Sequence, residues 1–126
     1  MSLNINIKAT QITLTDAIRD YVLQKIGSLE KVLPADDAST QAQVEVGRET
    51  RHHREGQVFK AEVKLHFRYH DLYAVERHED LYAAIDAVRD EIVHQVNSSI
   101  EKRNTLLRRG GRRIKNILHG LWSKKS

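Results

Sequence analysis

The sequence predicts an α+β fold in the order β-α-β-β-β-α, with one four-stranded sheet covered on a single face by two helices. Apolar residues recur at steps of three and four in two long segments, which is the period of a helix with one buried face. Apolar and polar residues alternate in three other segments, which is the period of a half-buried strand. Because the helices and the sheet each have one apolar face, we expect both helices on the same side of the sheet.

The N-terminal segment is predicted to form a strand followed by a helix. Apolar and polar residues alternate over residues 3–8. Thr15 stands where a helix should begin, because its hydroxyl can cap the free N–H groups of the first turn. Pro34 ends the helical pattern, since proline cannot continue a helix. The apolar stripe of this helix consists of Ile18, Val22, Ile26, Leu29 and Leu33.

Three more strands are predicted in the middle of the chain. Residues 42–46 alternate, and residues 59–69 alternate most clearly of all, with Phe, Ala, Val, Leu, Phe and Tyr on one face. Residues 48–56 between them are predicted to form a loop, and a reversal at residues 70–71 leads into a short strand over 72–76. The first helix makes a crossover, so the first two strands should be parallel neighbours and the others antiparallel hairpins.

A long second helix is predicted from Arg77 onward. Its apolar stripe consists of Leu81, Ile85, Val88, Ile92, Val96 and Ile100. Acids crowd its start and bases its end, the order that suits the partial charges at helix termini. The pattern supports a helix of roughly 28 residues, after which Gly110 and Gly111 interrupt it. We therefore expect one domain over residues 1–109 and a basic amphipathic tail over residues 110–126.

Charge is distributed unevenly along the chain. The formal net charge is +4, but residues 102–126 hold nine bases and no acids, whereas the other residues hold 12 bases and 17 acids. A weakly acidic body with a strongly basic extension indicates attraction to a polyanion at one end. Nucleic acid is the first candidate, and an anionic membrane surface is the second.

Several classes of function find no support in the sequence. The chain has no cysteine, which excludes disulfides, thiolate zinc sites and cysteine nucleophiles. It has no apolar run long enough to span a bilayer, so we expect a soluble cytoplasmic protein. Nucleophile elbows, phosphate loops and dinucleotide fingerprints are also missing. We therefore expect no enzyme activity and no cofactor.

The seven histidines do not form a convincing metal site. His66 and His70 are predicted on one strand face, where four residues span about 13 Å, whereas both ligands of one zinc lie within about 2 Å of it. His52 and His53 fall in a predicted hairpin loop. That loop also carries Arg48, Arg51 and Arg54, which can bind phosphate.

Aromatic residues and the tail each allow two interpretations. Tyr73, Tyr82 and Trp122 are candidates to stack on bases, although the helical position of Tyr82 fits partial burial equally well. Beyond the two glycines, apolar residues again fall at helical spacing among bases. The tail is either a frayed basic extension or a segment that folds when it docks on RNA, a protein or this domain.

The run His-Glu-Asp-Leu-Tyr-Ala-Ala-Ile-Asp at residues 78–86 resembles the HEDMYxAID signature of the ribosome hibernation promoting factor and ribosome-associated inhibitor A family. Residues 6–8, 12–19 and 25–31 resemble the opening strand and first helix of the same family. The resemblance covers roughly residues 3 to 107. Separately, the predicted α+β layout is similar to that of double-stranded RNA-binding domains, which recognise shape and phosphate more than sequence.

The resemblance also implies a function. Members of this family bind the interface side of the small ribosomal subunit, occupy the channel of messenger RNA and tRNA, and hold idle ribosomes in an inactive, protected state. We expect ribosomal RNA, with or without ribosomal proteins, as the partner, no small-molecule substrate, no membrane, and a monomer when free. Matched by position, the implied RNA contacts are Lys8, Arg19, Lys25, Lys102 and Arg103. From their charge and location we predict further RNA contacts at Arg108, Arg109, Arg112 and Arg113.

This chain departs from the family pattern at Ser98 and Ser99, where relatives often carry bases. Because Arg48, Arg51 and Arg54 are basic, we hypothesise that they replace the RNA contacts that relatives make at these two positions. The tail is too short for the dimerising domain of the family's long members, so a short-type factor is expected. Two alternatives stay open at this point: a general RNA-binding chaperone, and a membrane-surface regulator that uses its tail as an interfacial helix.

Overall fold

The computed structural model describes residues 3–34, 39–50 and 57–123, and it describes side chains over 3–34, 39–49 and 58–102. The elements are β1 (Asn4–Thr10), α1 (Asp16–Gly27), a short 3-10 helix (Ser28–Lys31), β2 (Gln41–Thr50), β3 (Gln57–Phe67), β4 (His70–His78) and α2 (Leu81–Ser123). This order confirms the predicted β-α-β-β-β-α arrangement. Arg51 and Arg54, with the rest of residues 51–56, lie outside the described residues.

The four strands form one mixed sheet in the order β1-β2-β3-β4. β1 is parallel to β2, and the pairs β2/β3 and β3/β4 are antiparallel. This confirms the crossover through α1 that the sequence predicted. Ile7, Val44, Val63 and Ala74 lie opposite one another across the four strands, so a single apolar row crosses the whole sheet.

The core lies between one face of the sheet and the two helices. Ala42, Val44 and Val46 of β2 are buried, as are the alternate residues of β3 from Ala61 to Phe67. The helices contribute a matching set of buried residues: Val22 and Ile26 from α1, and Leu81, Ala84, Ile85, Val88, Ile92 and Val96 from α2. The other side of the sheet is polar. We call it the open face, and its residues are Asn4, Asn6, Lys8, Thr10, Gln41, Gln43, Glu45, Gly47, Glu49, Val58, Lys60, Glu62, Lys64, His66, Asp71, Tyr73, Val75 and Arg77.

The first helix begins where the sequence predicted and ends earlier. The Thr15 hydroxyl accepts a hydrogen bond from the Ile18 N–H at 3.2 Å, as expected of an N-cap. The α-helix ends at Gly27, and a 3-10 helix follows. The Leu33 N–H donates to the Leu29 carbonyl at 3.0 Å. Both leucines are buried, so the predicted stripe is correct although its last turn is not α-helical.

The hairpin between β3 and β4 turns earlier than the sequence predicted. β3 ends at Phe67 rather than at Tyr69, and the two loop residues are Arg68 and Tyr69. Arg68 has a φ of 53°, a conformation that two-residue hairpin loops require. His66 lies opposite Asp71, whereas Phe67 lies opposite His70. His66 and His70 are therefore on opposite faces of the sheet, not on one strand face as predicted.

The strands also extend further than predicted. β2 continues through Arg48 to Thr50, and β4 covers His70–His78, so residues 48–50 are strand rather than loop. Residues 48–50 pair with residues 57–59 of β3. Gly47 forms the last pair of β2 with β1, and a Cβ there would lie 2.7 Å from the carbonyl oxygen of Thr10. The absence of a side chain lets the ends of β1 and β2 remain paired.

The second helix begins later and ends much later than predicted. It starts at Leu81, and the Asp80 carboxylate accepts a hydrogen bond from the Ala83 N–H at 3.2 Å, so Asp80 caps the helix instead of lying in its first turn. The helix continues for 43 residues to Ser123, and the predicted interruption at Gly110 and Gly111 is wrong. Each glycine costs a helix about 1 kcal/mol relative to alanine, which the surrounding leucine, arginine and lysine residues can offset.

The residues of the chain form two compact units, Met1–Val96 and Asn97–Ser126. The first contains the sheet, α1 and the beginning of α2. The second contains the remainder of α2. The domain boundary after residue 109 stays a prediction.

Candidate nucleic-acid interface

Arg19 lies on the first helix, one turn after its N-cap. Its backbone N–H donates to the Thr15 carbonyl at 2.9 Å, which fixes the backbone at this point. Its side chain is exposed. The guanidinium is therefore presented to solvent from a regular helix, a placement suited to binding a phosphate.

Lys25 lies in the last turn of α1, where Asp86 of α2 reaches it. The Lys25 Nζ is 3.6 Å from Asp86 Oδ1 and 5.5 Å from the centroid of the Tyr21 ring. Both groups hold the ammonium in one place while leaving it partly exposed. Asp86 also offsets part of its charge, so Lys25 is an oriented cation rather than a free one.

Tyr21 completes this contact between the two helices. Its hydroxyl donates to Asp86 Oδ1 at 2.6 Å, and its ring meets Tyr82 edge to face at a centroid distance of 4.7 Å. The hydrogen bond to the carboxylate raises the pKa of Tyr21 to about 12, because ionising the phenol would break that bond and place two negative charges together. Tyr82 thus packs against a neighbouring ring, which favours the partial burial considered from the sequence.

The signature run at residues 78–86 is explained by these contacts. Asp80 caps α2, Leu81 and Ile85 are buried in the core, and Tyr82 and Asp86 contact Tyr21. The motif therefore builds the start of α2 and its contact with α1. Sequence reasoning missed the role of Tyr21, which lies 65 residues from Asp86. One clue to this contact was present in the sequence. Tyr82 and Asp86 are four residues apart, as are Tyr21 and Lys25, and this spacing puts each pair on one helix face.

Lys8 lies on the open face, away from the helices. Its Nζ is 3.9 Å from Glu45 Oε2, and its side chain is 76% exposed. An exposed ion pair of this length contributes little stability, so the ammonium can exchange Glu45 for another anion. Lys8 lies on the opposite side of the sheet from Arg19 and Lys25, and the structure does not bring these three residues together.

The open face carries an ion network around Lys60. The Lys60 Nζ lies 3.4 Å from Glu45 Oε1 and 3.9 Å from both Glu49 Oε1 and Glu62 Oε2. Arg77 Nε donates to Glu49 Oε2 at 2.8 Å, and this hydrogen bond raises the pKa of Arg77. Over the described strand positions, the face holds four bases and four acids: Lys8, Lys60, Lys64, Arg77, Glu45, Glu49, Glu62 and Asp71. It has no net charge to attract a duplex.

Arg48 is placed differently from its predicted setting. It belongs to β2 and lines a shallow concavity of about 520 Å³ with Gln11, Ile12 and Thr13. Gln11 has a φ of 58°, so the chain turns sharply between β1 and α1 beside the exposed guanidinium. Arg48 therefore lies beside this loop. Its predicted association with Arg51 and Arg54 concerns residues outside the described set.

The remaining predicted contacts lie on α2. Lys102 is exposed. The helix also contains Arg103, Arg108, Arg109, Arg112 and Arg113, whose side chains are outside the described set, as is that of Trp122. The backbone of Arg112 lies one helical turn beyond that of Arg108, since four residues advance about 6 Å. Ser98 and Ser99 are also helical, and both are partly exposed.

The described part of the chain holds neither a metal cluster nor a membrane-spanning helix. No group of three or more metal-binding side chains comes together among those residues. None of the helices there combines the length and apolar character needed to cross a membrane.

Comparison with known proteins identifies relatives along most of the chain. A ribosome hibernation promoting factor of Azotobacter vinelandii is 36% identical over 100 residues, which are 79% of this chain and 85% of that protein. One of Pseudomonas putida is 32% identical over 105 residues, 83% of this chain and 94% of that protein. The crystal structure of the Thermus thermophilus Protein Y N-terminal domain is similar with a TM-score of 0.61 and 29% identity, covering 76% of this chain and 96% of that one.

The family model described as Sigma 54 modulation protein / S30EA ribosomal protein matches residues 5–104. This range contains β1 except its first residue, α1, the other three strands and the first part of α2, together with the signature run. The match confirms the family resemblance drawn from that run and from the N-terminal segments. The chain belongs to the Sigma 54 modulation protein / S30EA ribosomal protein family.

Proposed function

We propose that this protein is a ribosome hibernation factor. It binds the small ribosomal subunit at the interface side, occupies the channel used by messenger RNA and tRNA, and keeps idle ribosomes inactive and protected. It works in the cytoplasm as a monomer and needs no cofactor or catalytic residue, because inhibition follows from occupying the channel.

The observation that carries the proposal is the similarity to relatives named ribosome hibernation promoting factor. The relatives from Azotobacter vinelandii and Pseudomonas putida are matched over 85% and 94% of their own lengths, so the similarity is not confined to one shared motif. The protein's basic residues agree with this proposal. Nine of them lie within residues 102–126, and cations that replace counterions on phosphates give tight, salt-sensitive binding with little sequence preference.

The structure supports a mechanism based on steric exclusion. A sheet with two helices packed on one face has a fixed shape, and the contact of Tyr21 with Asp86 joins the helices. The sheet of the first unit alone is roughly 15 Å across, since it has four strands spaced by about 4.8 Å, and a body of that width inside the channel would obstruct an RNA strand. Arg19, Lys25 and Lys8 supply contacts to phosphate from two sides of that body.

Sedimentation tests the proposal. Purified protein is mixed with small subunits, large subunits or free duplex RNA, and each mixture is centrifuged through a sucrose gradient. We expect comigration with small subunits and inhibition of a translating extract at similar protein concentrations. Equal binding to free duplex and subunits would instead indicate a general RNA chaperone. Failure to comigrate with small subunits in low-salt buffer would contradict the proposal.

A charge variant makes the test specific. Arg19→Glu reverses a charge on the exposed side of α1, and Asp20→Lys, at the next exposed position, changes the local charge in the other direction. If phosphates contact this helix, the first variant should bind subunits more weakly and the second at least as tightly as the unmodified protein. An equal loss of affinity in both variants would indicate that this helix contacts the subunit through its shape and not through its charge.

A further inference from the structure

The centre of the open face contains one row of side chains that crosses all four strands. Asn6 lies opposite Gln43, Gln43 opposite Lys64, and Lys64 opposite Tyr73. Since neighbouring strands are spaced by about 4.8 Å, the row is roughly 14 Å long. We call these four residues the central row.

Lys64 differs from the other bases of the open face. Lys8, Lys60 and Arg77 each lie within 4 Å of a carboxylate. Lys64 is exposed and makes no ion pair or hydrogen bond with any described residue. Because its charge is not compensated locally, it is available to an anionic group of a ligand.

The two amides of the central row are available as well. The side chains of Asn6 and Gln43 are exposed and form no hydrogen bonds to the described part of the protein. An amide carries both donors and acceptors, so it can match the polar edge of a nucleobase. A run of neutral amides is poorly suited to a phosphate backbone, which needs cations.

Tyr73 ends the row with a fixed aromatic ring. The side chain is about half exposed. Its hydroxyl donates to Glu62 Oε2 at 2.9 Å, and its backbone carbonyl accepts from Gln95 Nε2 at 3.0 Å. A ring held at its hydroxyl and its backbone loses little freedom when a flat ligand stacks on it.

Two adjoining concavities surround the row. One, of about 440 Å³, includes Gln43, Lys64 and Tyr73, and the other, of about 270 Å³, includes Asn6, Gln43 and Lys64. Gln43 and Lys64 line both. The open face therefore has two neighbouring depressions that share Gln43 and Lys64, and the aromatic ring of Tyr73 lines one of them.

We propose that the central row binds a short run of unpaired nucleotides of single-stranded RNA. One base stacks on Tyr73, the amides of Asn6 and Gln43 bond to base edges, and Lys64 pairs with a phosphate. A duplex fits less well, because it presents phosphates outward and the open face has no net charge. The inference rests on the proposed function for the source of this RNA, since a factor in the decoding channel meets unpaired strands.

Binding of a labelled ten-nucleotide single strand to the full chain tests the inference. Fluorescence anisotropy is measured at about 0.3 M salt, which weakens purely electrostatic binding by the nine bases of residues 102–126 while stacking persists. Loss of one stacked base costs roughly 1–3 kcal/mol, so Tyr73→Ala should raise the Kd at least fivefold. Tyr73→Phe keeps the ring and should stay within about twofold, and Lys64→Ala should reduce the salt dependence.

Leu23→Ala is the matched control, because Leu23 is similarly exposed but lies on α1, away from the open face. Its Kd should be unchanged, and circular dichroism should show that all variants fold. Backbone amide NMR shifts on adding the strand should concentrate in β1, β2, β3 and β4 around the row. Equal affinity of Tyr73→Ala and unmodified protein, or shifts confined to the helices, would overturn the inference.

The same variants separate this inference from the proposed function. If unmodified protein comigrates with small subunits but Tyr73→Ala binds the strand normally, the inference fails and the function stands. If the strand binds at the central row but no comigration occurs, the inference stands and the function fails.

Discussion

The Tyr21 hydroxyl donates a 2.6 Å hydrogen bond to Asp86, and this contact joins the two helices directly beside Lys25. It links a residue of the N-terminal helix to the last residue of the signature run. The contact orients a predicted RNA-binding lysine, and it predicts that the stability of the protein depends on pH.

The raised pKa of Tyr21 predicts a loss of stability at high pH. The folded pKa is about 12 and the ordinary value is 10.0. A group whose pKa is higher in the folded state stabilises the protein below the unfolded value, and that contribution is lost as the pH rises from about 10 through 12. Unfolding by urea at pH 9 and 11.5 should therefore show a larger fall in midpoint for the unmodified protein than for Tyr21→Phe. Equal falls would show that the hydrogen bond has no such effect.

A second prediction concerns Gly47, where an added side chain should disturb the pairing of β1 with β2. A Cβ at this position would meet a backbone oxygen at 2.7 Å, whereas a Cβ at Gly27 meets nothing within 4 Å. Gly47→Ala should destabilise the protein by about 1–3 kcal/mol, since the strands must shift. Gly27→Ala, at a helical backbone position, should stabilise it by about 0.4–1 kcal/mol. Urea unfolding of both variants checks the pair, and similar changes in the same direction would contradict the strand contact.

Substitutions of Ile85 test whether α2 packs against the sheet. Its side chain is fully buried beneath the sheet, so Ile85→Ala should lower the free energy of unfolding by about 2–5 kcal/mol and Ile85→Val by about 0.5–1.5 kcal/mol. Leu23→Ala at an exposed helix position should change it by less than about 0.5 kcal/mol. Equilibrium urea unfolding measures all three. A small effect at Ile85 would mean that α2 does not pack as described.

These stability predictions concern features that the sequence revealed to different degrees. The apolar stripes, the alternation in the strands and the Thr15 cap are local patterns, so they predicted the helices, the strands and the core. The parallel pairing of the first two strands followed from the crossover connection through the first helix. The hairpin turn was hidden because Arg68 adopts a left-handed conformation without the glycine or asparagine that usually signals one. The end of α2 was misplaced because two glycines weaken a helix without necessarily stopping it.

The candidate site was predictable only in part. Family resemblance predicted RNA contacts at Lys8, Arg19, Lys25, Lys102 and Arg103, and charge predicted further contacts within residues 102–126. These contacts stay predictions. The contact of Tyr21 with Asp86 and the central row were not predicted, because each joins residues distant in sequence that only the packing of the helices or the strand register brings together.

The basic residues of α2 give a prediction about salt. Each phosphate contact contributes roughly 0.7–0.9 to the slope of log K against log salt concentration. Replacing Arg108, Arg109, Arg112 and Arg113 with alanine should therefore flatten the slope for small-subunit binding by about 3 if all four contact phosphate. Binding measured at four salt concentrations, with Lys25→Ala as a single-charge comparison, tests this. An unchanged slope would show that these arginines do not contact RNA.

Competition for the decoding channel tests the central claim most directly. The affinity of labelled protein is measured for empty small subunits and for small subunits that carry a messenger RNA and a tRNA in the channel. We predict at least tenfold weaker binding to the occupied subunits, because the two ligands cannot share the space. Equal affinity, with protein, messenger RNA and tRNA all held on one subunit, would contradict the account.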